Sequence, residues 1–158
     1  MAYSRSNFSF AEALALTLVL CITGCVTPPT RAYALRLKPG DDLRLKLVEL
    51  ARQHDLRAAY VVTCVGSLRR AAIRFADQQN TTMIDGPLEI VSLVGTLSPD
   101  GPHLHISVSD AAGRTVGGHL AEGSVVYTTA EVVIGELTGV AFSRETDPMT
   151  TYEELVIK

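Results

Sequence analysis

Three of the four histidines of the chain, His103, His105 and His119, fall in one segment, HLHISVSDAAGRTVGGHL. Side chains two apart on a strand project from the same face, so His103-x-His105 sets two imidazoles side by side. The turn that follows can be derived from its residues. Asp110-Ala111-Ala112-Gly113-Arg114 suits a three-residue hairpin loop, with Gly113 left-handed as the first residue of a bulge. Counting outward from that loop, Asp110 pairs with Arg114, Ser107 faces Gly117, Ile106 faces Gly118, His105 faces His119 and Leu104 faces Leu120. This register sorts Leu104, Ile106, Val108, Val116 and Leu120 to a core face, and His103, His105, Ser107 and His119 to the other. Directly opposed Cβ atoms lie roughly 5 Å apart.

Three imidazoles so placed can ligate one zinc or another divalent transition metal, as in carbonic-anhydrase-type sites, an analogy of geometry and not of fold. A fourth position stays open for water, a small ligand or a carboxylate, and water there allows metal-activated hydroxide chemistry. Glu131, inside the apolar strand VVYTTAEVVIGEL, is the candidate carboxylate, because an unpaired charge there is costly. The competing readings are histidines lining a subunit interface, and a Glu131 that faces solvent or pairs with an arginine such as Arg69 or Arg74.

The elements that must carry these residues follow from patterning. Arg31–Leu37 alternates as a strand, Lys38-Pro39-Gly40 turns, and Asp41 or Asp42 caps a helix with an apolar stripe of Leu43, Leu47, Leu50 and Ala51. His54 follows that helix as a surface residue. Strands are expected at Leu56–Val65, Leu68–Ala76, Leu88–Leu97, His103–Ser109, Arg114–Leu120, Val125–Leu137, Val140–Arg144 and Tyr152–Ile157, with a polar loop at Asp77–Thr82. One early helix and many strands imply an α+β fold with a largely antiparallel sheet.

With 158 residues the chain has room for one domain. At 47% hydrophobic residues, 20% charged and a mean hydropathy of +0.21, it is a folded rather than a disordered composition. The net charge of -3 and a longest basic run of Arg69-Arg70 make the chain a poor candidate for affinity built on phosphate neutralisation. With no Trp and 6% aromatics, base-stacking platforms are scarce. No nucleophile–base pair, phosphate loop or dinucleotide fingerprint is present, so no reaction can be named.

Residues 1–30 read as a separate signal-like segment ahead of a domain at 31–158. Ala13–Gly24 is apolar and suits a signal-peptide core. It ends in Ile22-Thr23-Gly24-Cys25, which resembles a bacterial lipobox and makes Cys25 the lipidation candidate. A lipidated Cys25 implies a membrane-anchored lipoprotein facing the periplasm; otherwise the segment is an extension and the protein cytoplasmic. Cys64, in an apolar run, is expected as a small buried hydrophobe, and three cysteines (Cys21, Cys25, Cys64) make no disulfide framework.

The stretches GPLEIVSLVGTLS, HLHISVSDAAGRTVGGHL and VVYTTAEVVIGEL, with the opening RAYALRLKPGDDL, resemble the plants-and-prokaryotes conserved (PPC) domain over residues 31–158. The resemblance implies an α+β domain with a mostly antiparallel sheet of about seven strands, assembled as a homotrimer, with His103, His105 and His119 as the site. Plant members carry AT-hook motifs beside this domain and bind AT-rich DNA through them. This sequence has no Arg-Gly-Arg-Pro, so direct DNA binding does not carry over. Three functions follow for test: a trimeric metal- or small-ligand-binding domain, an enzyme among its forms; a DNA-associated regulator; and a protein–protein assembly module without site chemistry.

Overall fold

The computed structural model describes residues 30–158. The signal-like segment and Cys25 lie outside them. Among the described residues, eight strands and one helix run in the order β1 (Thr30–Leu37), α1 (Leu43–Gln53), β2 (Ala59–Arg74), β3 (Thr82–Ser98), β4 (Gly101–Ser109), β5 (Thr115–Leu120), β6 (Val125–Leu137), β7 (Phe142–Thr146) and β8 (Glu153–Ile157). Six form a sheet in the order β1-β6-β2-β3-β4-β5, and β7 and β8 form a separate hairpin. Every pairing is antiparallel. The expected α+β class holds.

The helix follows its sequence signals. Asp42 is the N-cap, and its Oδ1 accepts from the Leu45 N–H at 2.9 Å. Its Oδ2 accepts from the Gly123 N–H at 2.6 Å, which ties the helix start to the connection between β5 and β6. Leu43, Leu47 and Ala51 are buried along the stripe. Leu43 and Leu47 share the fully buried core with Leu68, Ile73, Leu97, Ile106 and Ile134 of the sheet. Among the described residues no helix is long and apolar enough to cross a membrane.

Two boundaries depart from expectation. The strands expected at Leu56–Val65 and Leu68–Ala76 merge into one, β2, which runs from Ala59 to Arg74 straight through Gly66. Gly66 has φ +146, and a Cβ there would meet the Thr129 carbonyl oxygen, so only glycine lets β6 pass this close. Likewise β3 begins at Thr82 rather than at the expected Leu88 and runs through Gly86-Pro87. Leu68 faces Leu88 while Arg70 faces Asp85, so Arg69 stands against two residues in a bulge. A bulge is where a strand can keep a proline, which lacks the N–H for the ladder.

One pairing shapes the site. Past the end of its contact with β6, β2 pairs with β5, joining Ile73 to Leu120 and Arg74 to His119. Strands β2 to β5 therefore close on themselves. The Ala121 N–H donates to the Ala72 carbonyl at 2.9 Å. The fully buried Ser124 hydroxyl accepts from the Ala72 N–H at 3.0 Å and donates to the Ala121 carbonyl at 3.1 Å.

Candidate metal centre

The β4–β5 hairpin is held at its tip by Asp110. Its Oδ1 accepts from the N–H groups of Ala112 and Arg114, and its Oδ2 pairs with the Arg114 guanidinium at 2.7 Å. These bonds from Arg114 favour the ionised carboxylate and hold Asp110 below its ordinary range. Gly113 takes φ +77, and its N–H donates to the Asp110 carbonyl at 2.9 Å. The loop is the expected one, and so is the register: His105 faces His119, Ile106 faces Gly118 and Ser107 faces Gly117. Leu104, Ile106, Val108 and Leu120 are buried as expected. Val116 is not; it stays 39% exposed, because β2 reaches only residues 119 and 120 of β5 and leaves the other end uncovered.

One ring nitrogen from each of His103, His105 and His119 lies within 4.8 Å of those of the other two. His105 Nε2 and His119 Nδ1 are 3.2 Å apart, and the His103 and His119 rings stack with centroids 5.2 Å apart. Nitrogens bound at about 2.0–2.1 Å around a tetrahedral zinc stand roughly 3.3 Å from each other. One pair is already at that separation, and the third nitrogen must close in from within 4.8 Å to complete the set. The three histidines can therefore hold a metal. Two of the three are shifted toward the neutral imidazole that ligates. Burial, then the Arg144 charge, lowers the His103 pKa from its ordinary 6.5. Burial, then the Arg74 charge, lowers that of His119.

The structure does not bring Glu131 to this group. Strand β6 lies between β1 and β2, and Glu131 stands opposite Arg36 and Val65, exposed to solvent. Its expected place as a further ligand is corrected: β6 pairs with neither β4 nor β5. His54 is exposed at the end of α1, with its ring 4.8 Å from that of Tyr33. Cys64 is buried and free, and burial pushes its thiol up to about 12.

Two residues that sequence reasoning did not connect to the site flank it. Arg74 is the direct cross-strand partner of His119. Arg144, on β7, donates from Nη2 to Thr96 Oγ1 at 3.2 Å, and Thr96 is the cross-strand partner of His103. Both arginines line, with His103 and His119, an open cleft of about 1010 Å³. No local signal marks them, because both placements depend on pairings between distant segments.

A six-stranded antiparallel sheet closed by the β2–β5 pairing, a separate β7–β8 hairpin, one capped helix and a histidine-bearing hairpin define an α+β domain. The sequence profile of the Plants and Prokaryotes Conserved (PCC) domain, the PPC domain above, matches residues 26–138, and the chain belongs to this family. A hypothetical protein from Salmonella has a structure that matches with a TM-score of 0.81 at 45% identity, covering 83% of this chain and 95% of that one. A metal-containing protein from Archaeoglobus fulgidus matches with a TM-score of 0.68 at 30% identity, covering 80% and 93%. The bifunctional protein GlmU of Synechococcus sp. (strain JA-3-3Ab) is 49% identical over 132 residues; the match takes in 84% of this chain and 21% of that protein. An AT-hook motif nuclear-localized protein of Arabidopsis thaliana is 28% identical over 125 residues, 73% of this chain and 37% of that protein. The chain thus spans a minor part of these longer relatives.

Proposed function

We propose that His103, His105 and His119 hold one divalent transition-metal ion, zinc before others, in a PPC domain that assembles as a homotrimer. The observation that carries this reading is the convergence of three ring nitrogens within 4.8 Å. The metal-containing relative from Archaeoglobus fulgidus, at 30% identity, supports it. A bound ion with three imidazole ligands supplies a Lewis-acidic position for a small ligand. Within the chain, the Asp110–Arg114 clasp fixes the register that opposes His105 to His119. The β2–β5 pairing fixes the height of His119. Assembly is supported by exposed apolar residues on neighbouring strands, Val62 and Val65 of β2 and Val91 and Val94 of β3, each more than half exposed.

Elemental analysis of the purified protein beside a His103→Ala/His119→Ala variant tests the site. About one ion per chain, lost in the variant, is expected. No metal after zinc loading, or equal metal in the variant, overturns it. Sedimentation at equilibrium reads the trimer independently, and a monomer mass overturns that part. The DNA-associated reading draws on the AT-hook relative. Against it stand the net charge of -3 and the missing Arg-Gly-Arg-Pro. A salt-dependent shift of AT-rich duplex by the purified protein would restore it.

A further inference from the structure

Each edge of the histidine group carries a guanidinium. On one side Arg74 stands directly opposite His119, and side chains of directly opposed residues share a face. On the other side Arg144 is fastened to Thr96, which stands directly opposite His103. The two come from strands far apart in the chain and meet only around this cleft. Among the described residues, neither is within ion-pair distance of a carboxylate. Arg74 donates one N–H to the Gln78 carbonyl at 3.2 Å, and Arg144 donates to the Thr96 hydroxyl and the Glu153 carbonyl. Both keep charge and further donors for a ligand. Four carboxylates, Asp77, Asp100, Glu153 and Glu154, and a third guanidinium, Arg44, line the wider cleft; Asp100 accepts from the Arg144 backbone N–H at 2.9 Å, and Glu154 from the Thr150 hydroxyl at 3.1 Å.

Charge balance points the same way. A divalent ion on three neutral imidazoles adds two positive charges between two guanidiniums, and no carboxylate belongs to the ligand group. Positive charge gathered at the histidine end of the cleft favours an anionic ligand there. Arginine is the side chain whose fork of N–H groups fits the oxygens of carboxylates and phosphates.

We propose that the cleft binds a small oxyanion, a carboxylate or phosphate group of a metabolite-sized ligand, gripped by Arg74 and Arg144 beside the histidine-held metal. This rests on the metal reading and extends it to the class of ligand. The large open cleft accommodates the rest of such a molecule.

The test is calorimetric titration of the full-length, metal-loaded protein with inorganic phosphate and, in a parallel arm, with acetate, each sample also assayed for metal. The variants are Arg74→Gln and Arg144→Gln, with Arg70→Gln as control, since Arg70 already pairs with Asp85 outside the cleft. Saturable binding of one of the two probes is expected. Either cleft substitution should weaken it about tenfold or more at unchanged metal content, because each removes charge-assisted hydrogen bonds. The control should leave it as it was. The stronger arm tells phosphate from carboxylate ligands. Metal present with neither probe bound, or bound equally by the cleft variants, overturns the oxyanion site and spares the metal site. Metal absent overturns the metal site, and the oxyanion site falls with it unless the same arginine-dependent binding persists.

Discussion

Replacing Gly118 with alanine should loosen the histidine site without touching a histidine. Gly118 lies beside His119, where β5 meets β2. A Cβ at Gly118 would sit 2.6 Å from the Arg74 carbonyl oxygen and 2.9 Å from Ile73 Cγ2. Ordinary contact begins at 3.4 Å, and the nearer atom is backbone, so the strands must part by about 0.8 Å. Metal ligands tolerate only about 0.2 Å around their preferred distances. A shift of that size at the residue before His119 should weaken metal binding at least tenfold. Forcing an extra methyl into packed structure should also cost about 1–3 kcal/mol of stability. Gly113→Ala is the internal control. Its Cβ would meet nothing within 4 Å, but its φ of +77 makes alanine strained. It should cost roughly 1–2 kcal/mol and leave metal affinity alone. Urea denaturation gives the stabilities, and competition against a chromophoric chelator gives the affinities. Wild-type metal affinity in Gly118→Ala, or equal losses of affinity in both variants, would refute the claim that β5 pressed on β2 positions His119.

Three further outcomes follow. Ser124→Ala removes the acceptor for the buried Ala72 N–H and should cost about 1–3 kcal/mol by urea denaturation; a loss below about 0.5 kcal/mol would mean that the hydroxyl is not needed there. Cys64, its thiol pushed up to about 12 by burial, should resist iodoacetamide at pH 8 in the folded protein and react in urea, read on the Cys64 peptide by mass spectrometry. Because the folded pKa values of His103 and His119 lie below the ordinary 6.5, the unfolded chain takes up protons first as pH falls. Metal-free protein should therefore keep a level Tm above pH 6.5 and lose stability as pH drops from there through the lowered values. The loss should be shallower in His103→Ala/His119→Ala, and an equal slope in both proteins would assign it to other groups.

The local order around the site was written into short stretches of the sequence. Asp110, Gly113 and Arg114 dictate a loop, the loop dictates a register, and the register opposes His105 to His119. Alternation then sends Leu104 and Ile106 inward and the histidines outward, since a strand has a period of two. The helix was legible for the same reason: the Asp42 cap and the leucine stripe are interactions within one or two turns. The Gly86-Pro87 bulge and the run of β2 through Gly66 were hidden, because whether a glycine ends a strand or lets a neighbour approach depends on what lies across from it.

Only the tertiary structure decided the surroundings of the histidines. Glu131 looked like a ligand because an acid in an apolar strand must find a partner or water, and alternation does not say which strands flank it. Placing β6 between β1 and β2 carried it away to solvent. The same pairing order let β2 run past β6, reach β5 and set Arg74 against His119. It also left Thr96 in position to receive Arg144 from β7. Turn chemistry and side-chain alternation act over a few residues and can be read along the chain. Strand order is set by the burial of the whole core at once, and so the residues that give this cleft its charge became visible only in the assembled fold.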